Sequence, residues 1–342
     1  MNPNQKERFS RQILFAGIGE PGQQKLLDSS VVLVGCGAIG AAAANFLVRA
    51  GVGKLRIIDR DFVELSNLQR QTLFEESDAA EGLPKAVAAQ RQLKAIDSNC
   101  AVEAIVADLT PQNALELIGD SQIILDGTDN FETRLLMNDA AIQLGIPWVY
   151  AAAVGSAGVS MAMVPGQTAC LACLLQSDRE VAAQGAEETC DTAGILNTAA
   201  TMAASVEVTE AMRILTGQPP SGRLVSFDMW RGDYRSIRVE LDPECEACGR
   251  REFRYLSGKA QPHVTMCGRD SVQIHERKRE LDLKELNQRL VAAGTPSKSN
   301  QFLLQFRVNS YQVTVFGDGR AIFKGTRDPA VARSLYARYI GS

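Results

Sequence analysis

Val31-Val32-Leu33-Val34-Gly35-Cys36-Gly37-Ala38-Ile39-Gly40 is the stretch that decides the fold. Four apolar residues, three of them β-branched, run into a turn with three glycines. Residues 41–50 then continue over a helical length as small and apolar residues apart from Asn45 and Arg49. A strand that stops at G-x-G-x-x-G and restarts as a helix is the first unit of a Rossmann-like, doubly wound sheet. The glycines allow a tight turn and the close approach of a phosphate, and the helix N-terminus offers unpaired N–H groups with partial positive charge. Gly35, Gly37, Ala38 and Gly40 are therefore candidate nucleotide-binding positions. A tight turn with no ligand is the plainer reading of the same residues.

Outward from this unit, strands are expected at 54–59, 102–106, 122–125 and 146–151, with helices at 38–50, 84–97 and 130–144. Such alternation implies a mostly parallel α/β sheet. After residue 151 the pattern changes. Residues 158–164 read as an antiparallel extension, 176–189 as a polar mobile loop, 195–216 as a long buried helix, and 223–227 and 236–241 as strands. Residues 256–262 read as a linker. A small C-terminal α+β module follows, with strands at 271–275, 302–308, 312–316 and 321–324 and helices at 283–293 and 329–340. Two domains are expected, 1–256 and 257–342.

The chain has 342 residues and a net charge of −4, which gives no reason to expect nucleic acid or a membrane surface. The N-terminus is polar and unlike a signal peptide, and the most apolar stretch, 31–48, is too short and glycine-rich to span a bilayer. The expected location is cytoplasmic. Both histidines, His263 and His275, fall beyond residue 260, so a histidine general base in the first domain is excluded. Residues 257–342 hold 14 Lys/Arg against 7 Asp/Glu. That excess is either a solvated surface or a face for an acidic partner.

Asp59 lies 19 residues past Gly40 at the end of the second strand, where a carboxylate can accept both ribose hydroxyl protons. Asp61, two residues on, is grouped with it. To this point NAD is as good a ligand as ATP, and an NAD-dependent oxidoreductase is the alternative from a different class. Ser66-Asn67-Leu68-Gln69-Arg70-Gln71 and Lys85 separate the two. Asn67, Arg70 and Lys85 put an amide and two cations beside the ribose site, and those cations suit the β- and γ-phosphates of a triphosphate. Asp129, in Thr128-Asp129-Asn130 at the end of the fourth strand, is placed to hold Mg²⁺. Its plainer reading is an N-cap of the next helix.

Four of the eight cysteines form two Cys-x-x-Cys pairs, Cys170/Cys173 and Cys245/Cys248, 72 residues apart. They fit a structural Cys₄ zinc site, a closed tetrahedral set with no open position for catalysis. Unmetalled thiols are the alternative. Cys190 stands apart, before the predicted helix at 195–216.

Taken together, Arg8-Phe9-Ser10-Arg11-Gln12, the glycine turn, Asp59, the run 66–71, Pro84-Lys85, Thr128-Asp129-Asn130 and the paired cysteines resemble the ThiF/MoeB/HesA family, prokaryotic relatives of ubiquitin-activating enzymes. The resemblance covers about residues 6–250. Within the family the whole chain looks most like the ThiF proteins of Bacillus-type bacteria, which carry a similar C-terminal module with stretches like Met266-Cys267-Gly268-Arg269 and Asp318-Gly319-Arg320. It implies an enzyme that uses ATP and Mg²⁺ to adenylate the C-terminal Gly-Gly carboxylate of a ubiquitin-like sulfur carrier, ThiS-like or, alternatively, MoaD-like. It implies a homodimer in which Arg11 reaches the partner subunit's ATP. Asn67, Arg70, Lys85 and Asn130 would line the ATP site, Asp129 would serve Mg²⁺, and Cys190 would occupy the place of a sulfur-transfer cysteine fed by a cysteine desulfurase or another donor. Ala38 departs from a glycine common in the family, a change tolerable if its φ is negative.

Overall fold

The computed structural model describes residues 1–177, 193–258, 271–274 and 281–341. The chain divides into two compact units, Met1–Ala79 with Pro84–Gln261, and Ala80–Leu83 with Pro262–Ser342. From residue 178 onward the expected polar loop lies outside the described residues, as do Cys190, His263, Cys267 and His275.

In the first unit the strands are β1 (Ser30–Val34), β2 (Lys54–Ile58), β3 (Ala101–Ile105), β4 (Ile123–Asp126), β5 (Trp148–Val154), β6 (Ala157–Met163), β7 (Arg223–Asp228) and β8 (Asp233–Arg238). They form one sheet in the order β3-β2-β1-β4-β5-β6-β7-β8. Pairs from β3 to β5 are parallel, and those from β5 to β8 antiparallel. The sheet is thus doubly wound and mostly parallel in its nucleotide-binding half, with an antiparallel extension. Strand order reverses between β1 and β4, and crevices for ligands open at such a switch point. Val31–Val34 are all buried, as expected of a central strand covered on both faces.

The helices of this unit are α1 (Pro3–Arg8), α2 (Ser10–Ile13), α3 (Gly19–Leu27), α4 (Ala38–Ala50), α5 (Glu76–Glu81), α6 (Lys85–Ile96), α7 (Ala114–Ile118), α8 (Phe131–Leu144), α9 (Leu171–Ser177) and α10 (Asn197–Leu215); α5 runs on into Ala80 and Glu81 of the second unit. Helix α4 buries Ala41–Ala44, and α10, which buries Ala199, Ala200, Ala203 and Ala204, packs beside it; small side chains let helices approach closely. The sequence suggests a long, largely apolar, buried helix here. It is buried along one face only, with Thr201, Met202, Ser205 and Val206 half-exposed. The last strand of the sheet is Asp233–Arg238, three residues earlier than expected, and exposed on both faces.

The second unit is an antiparallel sheet in the order β10-β11-β12-β13-β9, from β9 (Ser271–Ile274), β10 (Ser297–Ser299), β11 (Leu303–Val308), β12 (Tyr311–Phe316) and β13 (Ala321–Lys324). Alternate residues Leu304, Phe306, Val308, Val313 and Val315 form one core with Leu283, Leu286 and Leu290 of α11 (Leu283–Ala292) and Ala332, Leu335 and Tyr336 of α12 (Pro329–Tyr339). Asp282 and Asp328 cap these helices through their side chains.

Candidate nucleotide and metal sites

At the tip of β1 the glycine turn closes over the start of β4's loop. Gly35 has φ +86°, and a Cβ on Gly35 or on Gly40 would collide with a backbone carbonyl, of Gly127 and of Gly35 respectively. These two glycines are thus required by the protein's own packing. Gly37 is different. A Cβ there would meet nothing closer than the Gly127 carbonyl oxygen at 3.8 Å and the Gln71 amide at 4.0 Å. No atom of the described residues requires Gly37 to lack a side chain, so the space above it suits a ligand. Ala38 opens α4, and among the described residues only Arg251 and Asn309 are non-glycines with positive φ. The departure at Ala38 is therefore unstrained.

Asp59 follows directly after β2 and is 8% exposed. Its carboxylate accepts from Cys36 N at 2.6 Å and from Asp61 N at 2.7 Å, one bond to each oxygen. Each oxygen keeps acceptor capacity for a hydroxyl. Burial raises the Asp59 pKa, and the nearby Lys85 ammonium pulls it back down. Lys85, 4% exposed at the start of α6, pairs with Asp61 at 3.0 Å. Its charge is also felt at Cys36 in the glycine turn.

Asn67 and Gln71 complete the floor. Both are buried, at 1% and 3% exposure. Asn67 Oδ1 accepts from Glu64 N, but among the described residues its Nδ2 has no partner, and neither has Gln71 Oε1. Two orphaned amide atoms, one on each of two residues lining a turn with room above it, fit a nucleotide. Gln71 is a residue that sequence reasoning quoted without assigning a role. Its signal was the repeated amide in Asn67–Gln71, which reads equally well as a polar surface turn. Arg70 is half-buried and folds back to donate to the Ser66 carbonyl at 2.8 Å.

At the tip of β4, Asn130 is the N-cap of α8, accepting from Thr133 N at 2.8 Å. The cap role weighed for Asp129 therefore belongs to its neighbour. Asp129 is exposed, and its carboxylate holds no hydrogen bond or ion pair among the described residues, which suits a cation ligand. Beneath it Arg134 pairs with buried Asp126 at 2.7 Å and donates to the Thr128 carbonyl at 2.6 Å. Glu207 of α10 accepts from Asp126 N at 2.7 Å, and burial pushes its pKa well up. Sequence reasoning did not single out Arg134, Asp126 or Glu207.

Arg11 is not brought to this site. Gln12, beside it, donates to Ala50 O at 2.8 Å, and Ala50 ends the 13-residue helix that begins at the glycine turn. Arg11 thus stands about 20 Å along α4 from that turn.

The four paired cysteines do converge. Their Sγ atoms lie within 4.8 Å of one another, with Cys170–Cys173, Cys170–Cys245 and Cys173–Cys248 at 3.8, 3.7 and 3.4 Å. A tetrahedron with Zn–S bonds of ~2.3 Å has edges of about 3.8 Å. The donor set fits zinc, and the spacing is far too long for disulfides. A hydrogen bond with the Cys170 thiol lowers the Cys173 pKa, the direction that suits a thiolate ligand. Helix α8 anchors this segment: Asn138 accepts from Leu171 N at 2.9 Å, and Asp139 from Tyr255 N at 2.9 Å and Leu256 N at 3.2 Å. Among the described residues no helix is long and apolar enough to cross a membrane.

The ThiF family matches residues 9–247 of this chain. Over 98% of its length the chain is 45% identical to the sulfur carrier protein ThiS adenylyltransferase of Bacillus subtilis (strain 168), of which it covers 99%. It is 35% identical to the molybdopterin-synthase adenylyltransferase of Escherichia coli (strain K12), over 71% of this chain and 96% of that one. Among solved structures, E. coli MccB has a TM-score of 0.63 at 24% identity, covering 73% of this chain and 74% of that one, a likeness of fold. With a family match across most of the first unit and a relative alike from end to end, the chain belongs to the ThiF family.

Proposed function

We propose that this chain is an adenylyltransferase that uses ATP to activate the C-terminal Gly-Gly carboxylate of a small ubiquitin-like sulfur carrier protein of the ThiS type, releasing pyrophosphate and readying the carrier for thiocarboxylate formation. The observation that carries the reading is Lys85, a buried ammonium paired with Asp61 whose charge acts on Asp59 and on Cys36 of the glycine turn. Hydride transfer has no use for a buried cation there, and a triphosphate does. Similarity through the whole chain, rather than through its first 250 residues alone, supports a ThiS-like carrier over a MoaD-like one.

The chemistry then needs no general base. A chain-terminal carboxyl has a pKa of roughly 3.5 and is ionised at neutral pH. It attacks the α-phosphorus directly. Asp59 holds the ribose, Asn67 and Gln71 orient the nucleotide, and the start of α4 faces the phosphates. Arg70, released from the Ser66 carbonyl, and Lys85 neutralise the β- and γ-phosphates as pyrophosphate departs. Asp129 would hold Mg²⁺, which supplies further charge to that leaving group. Arg11, remote from its own site, serves a second copy, so the active form is a homodimer. Zinc held by Cys170, Cys173, Cys245 and Cys248 clips the two ends of the segment between them and takes no part in catalysis. Cys190 would accept sulfur from a desulfurase or similar donor, in the cytoplasm. The division of labour between a domain at 1–256 and a module at 257–342 belongs to the same reading, the module's basic surface meeting the carrier.

The test is ATP–pyrophosphate exchange dependent on a Gly-Gly-ended carrier. Exchange with a ThiS-like carrier is the expected result, and none with any carrier would end the proposal.

A further inference from the structure

Strands β4 and β5 are neighbours only at Ile124↔Trp148 and Leu125↔Val149. Beyond Leu125 they part. The next N–H of β4, that of Asp126, goes to Glu207 Oε1 of α10 instead of to β5. From the other face of the sheet Arg134 spans the gap, bonding Asp126 Oδ2, Thr128 O and, at 3.1 Å, Ala151 O. Asp126 Oδ1 accepts from both the N–H and the hydroxyl of Thr128, at 2.9 and 2.7 Å. The loop from Asp126 to Thr128 is therefore pinned from both sides, and Asp129 follows it, exposed.

Glu207 is an expensive choice for this place. It is 0% exposed, on a helix face that also buries five alanines, Val208 and Glu210, and its Oε2 has no partner among the described residues. A buried, half-satisfied carboxyl destabilises the fold, and packing alone would favour an apolar residue. We propose that Glu207 is a positioning residue for the divalent cation: by fixing the Asp126 N–H where β4 and β5 separate, it sets how far the Thr128–Asp129 loop projects and so where the Asp129 carboxylate meets the metal. This rests on the reading of Asp129 as the magnesium ligand.

The experiment is calorimetric binding of ATP to the full chain at stepped Mg²⁺, without carrier, alongside thermal melts. E207A should raise the Mg²⁺ needed for half-maximal tightening of ATP roughly tenfold, as loss of a partner behind a metal ligand does. E207Q, which keeps an acceptor for the Asp126 N–H, should stay within about twofold of the parent chain. Should E207A fail to fold, E207M fills the space without an acceptor and carries the same expectation. A lower melting temperature with an unchanged Mg²⁺ requirement would reduce Glu207 to a structural part and overturn the proposal, as would E207Q behaving like E207A. An unchanged Mg²⁺ requirement in D129N would instead remove the reading of the site on which it stands.

Discussion

The Lys85 ammonium sits 3.0 Å from Asp61 Oδ2, and the Lys85 N–H donates to the Asp61 carbonyl at 2.8 Å, so backbone and side chain tie the start of α6 to the loop after β2. The pair holds a buried cation ready beside the glycine turn and lets it exchange a carboxylate for a phosphate. Lys85→Met should lower kcat/KM for ATP in the exchange reaction by about 100-fold or more, the scale of losing one preorganised charge on a developing anion. Asp61→Asn, which removes this ion pair but keeps the ammonium, should cost far less. Equal losses in the two variants would mean that the pair matters only as a structural tie.

Gly37→Ala and Gly40→Ala divide the glycine turn into its ligand and protein roles. The Gly40 position has no room for a methyl group beside the Gly35 carbonyl, so its substitution should cost roughly 3 kcal/mol in denaturant unfolding. Gly37 has that room, so Ala should cost about 1 kcal/mol or less. ATP affinity should nonetheless fall at least about tenfold in Gly37→Ala, because the methyl group enters the space that fits a phosphate. A Gly37→Ala protein with normal ATP affinity would show that the nucleotide lies elsewhere.

The parallel half of the sheet was legible because each part carries its own local signal: the apolar run of β1, the glycines, the small residues of α4. The rest was hidden for physical reasons. Helices α1 and α2 bury no residues and so show no apolar periodicity. Strand β8 is exposed on both faces, which removes the alternation that marks a strand and moved its expected position by three residues. Asp129 and Asn130 have the same capping chemistry in adjacent positions, and only the backbone decides between them. Glu207 reaches Asp126 across 81 residues, and a contact of that range leaves no mark on the local pattern.

The cysteine tetrad predicts close to one zinc per chain by elemental analysis, retained through gel filtration. Cys173→Ser should release it and lower stability by roughly 3 kcal/mol, about 6–12 °C in melting temperature for a unit of this size. Because the sulfurs belong to the cluster on the α8 face, while α4 packs with α10, nucleotide affinity at low temperature should change little. Folded protein purified with no zinc and no loss of stability on chelation would remove the metal from the site.

Asp139 makes the first unit's stability depend on pH in a direction opposite to that of an ordinary paired carboxylate. Burial pushes its pKa up to about 6, against the lowering effect of the Leu256 and Tyr255 N–H groups. In the unfolded chain an aspartate titrates near 3.9, so between about 4 and 6 the folded chain binds the extra proton. The resulting stabilisation is fully present below about 4 and is lost as pH rises through about 6. Asp139→Asn keeps an oxygen acceptor for the same N–H groups but cannot titrate. The difference in melting temperature, parent minus Asp139→Asn, should therefore fall between pH 4 and 6.5 and then level off. A difference that instead rises over that interval would mean that the two N–H bonds outweigh burial, and that the carboxylate form is the one this helix was shaped to hold.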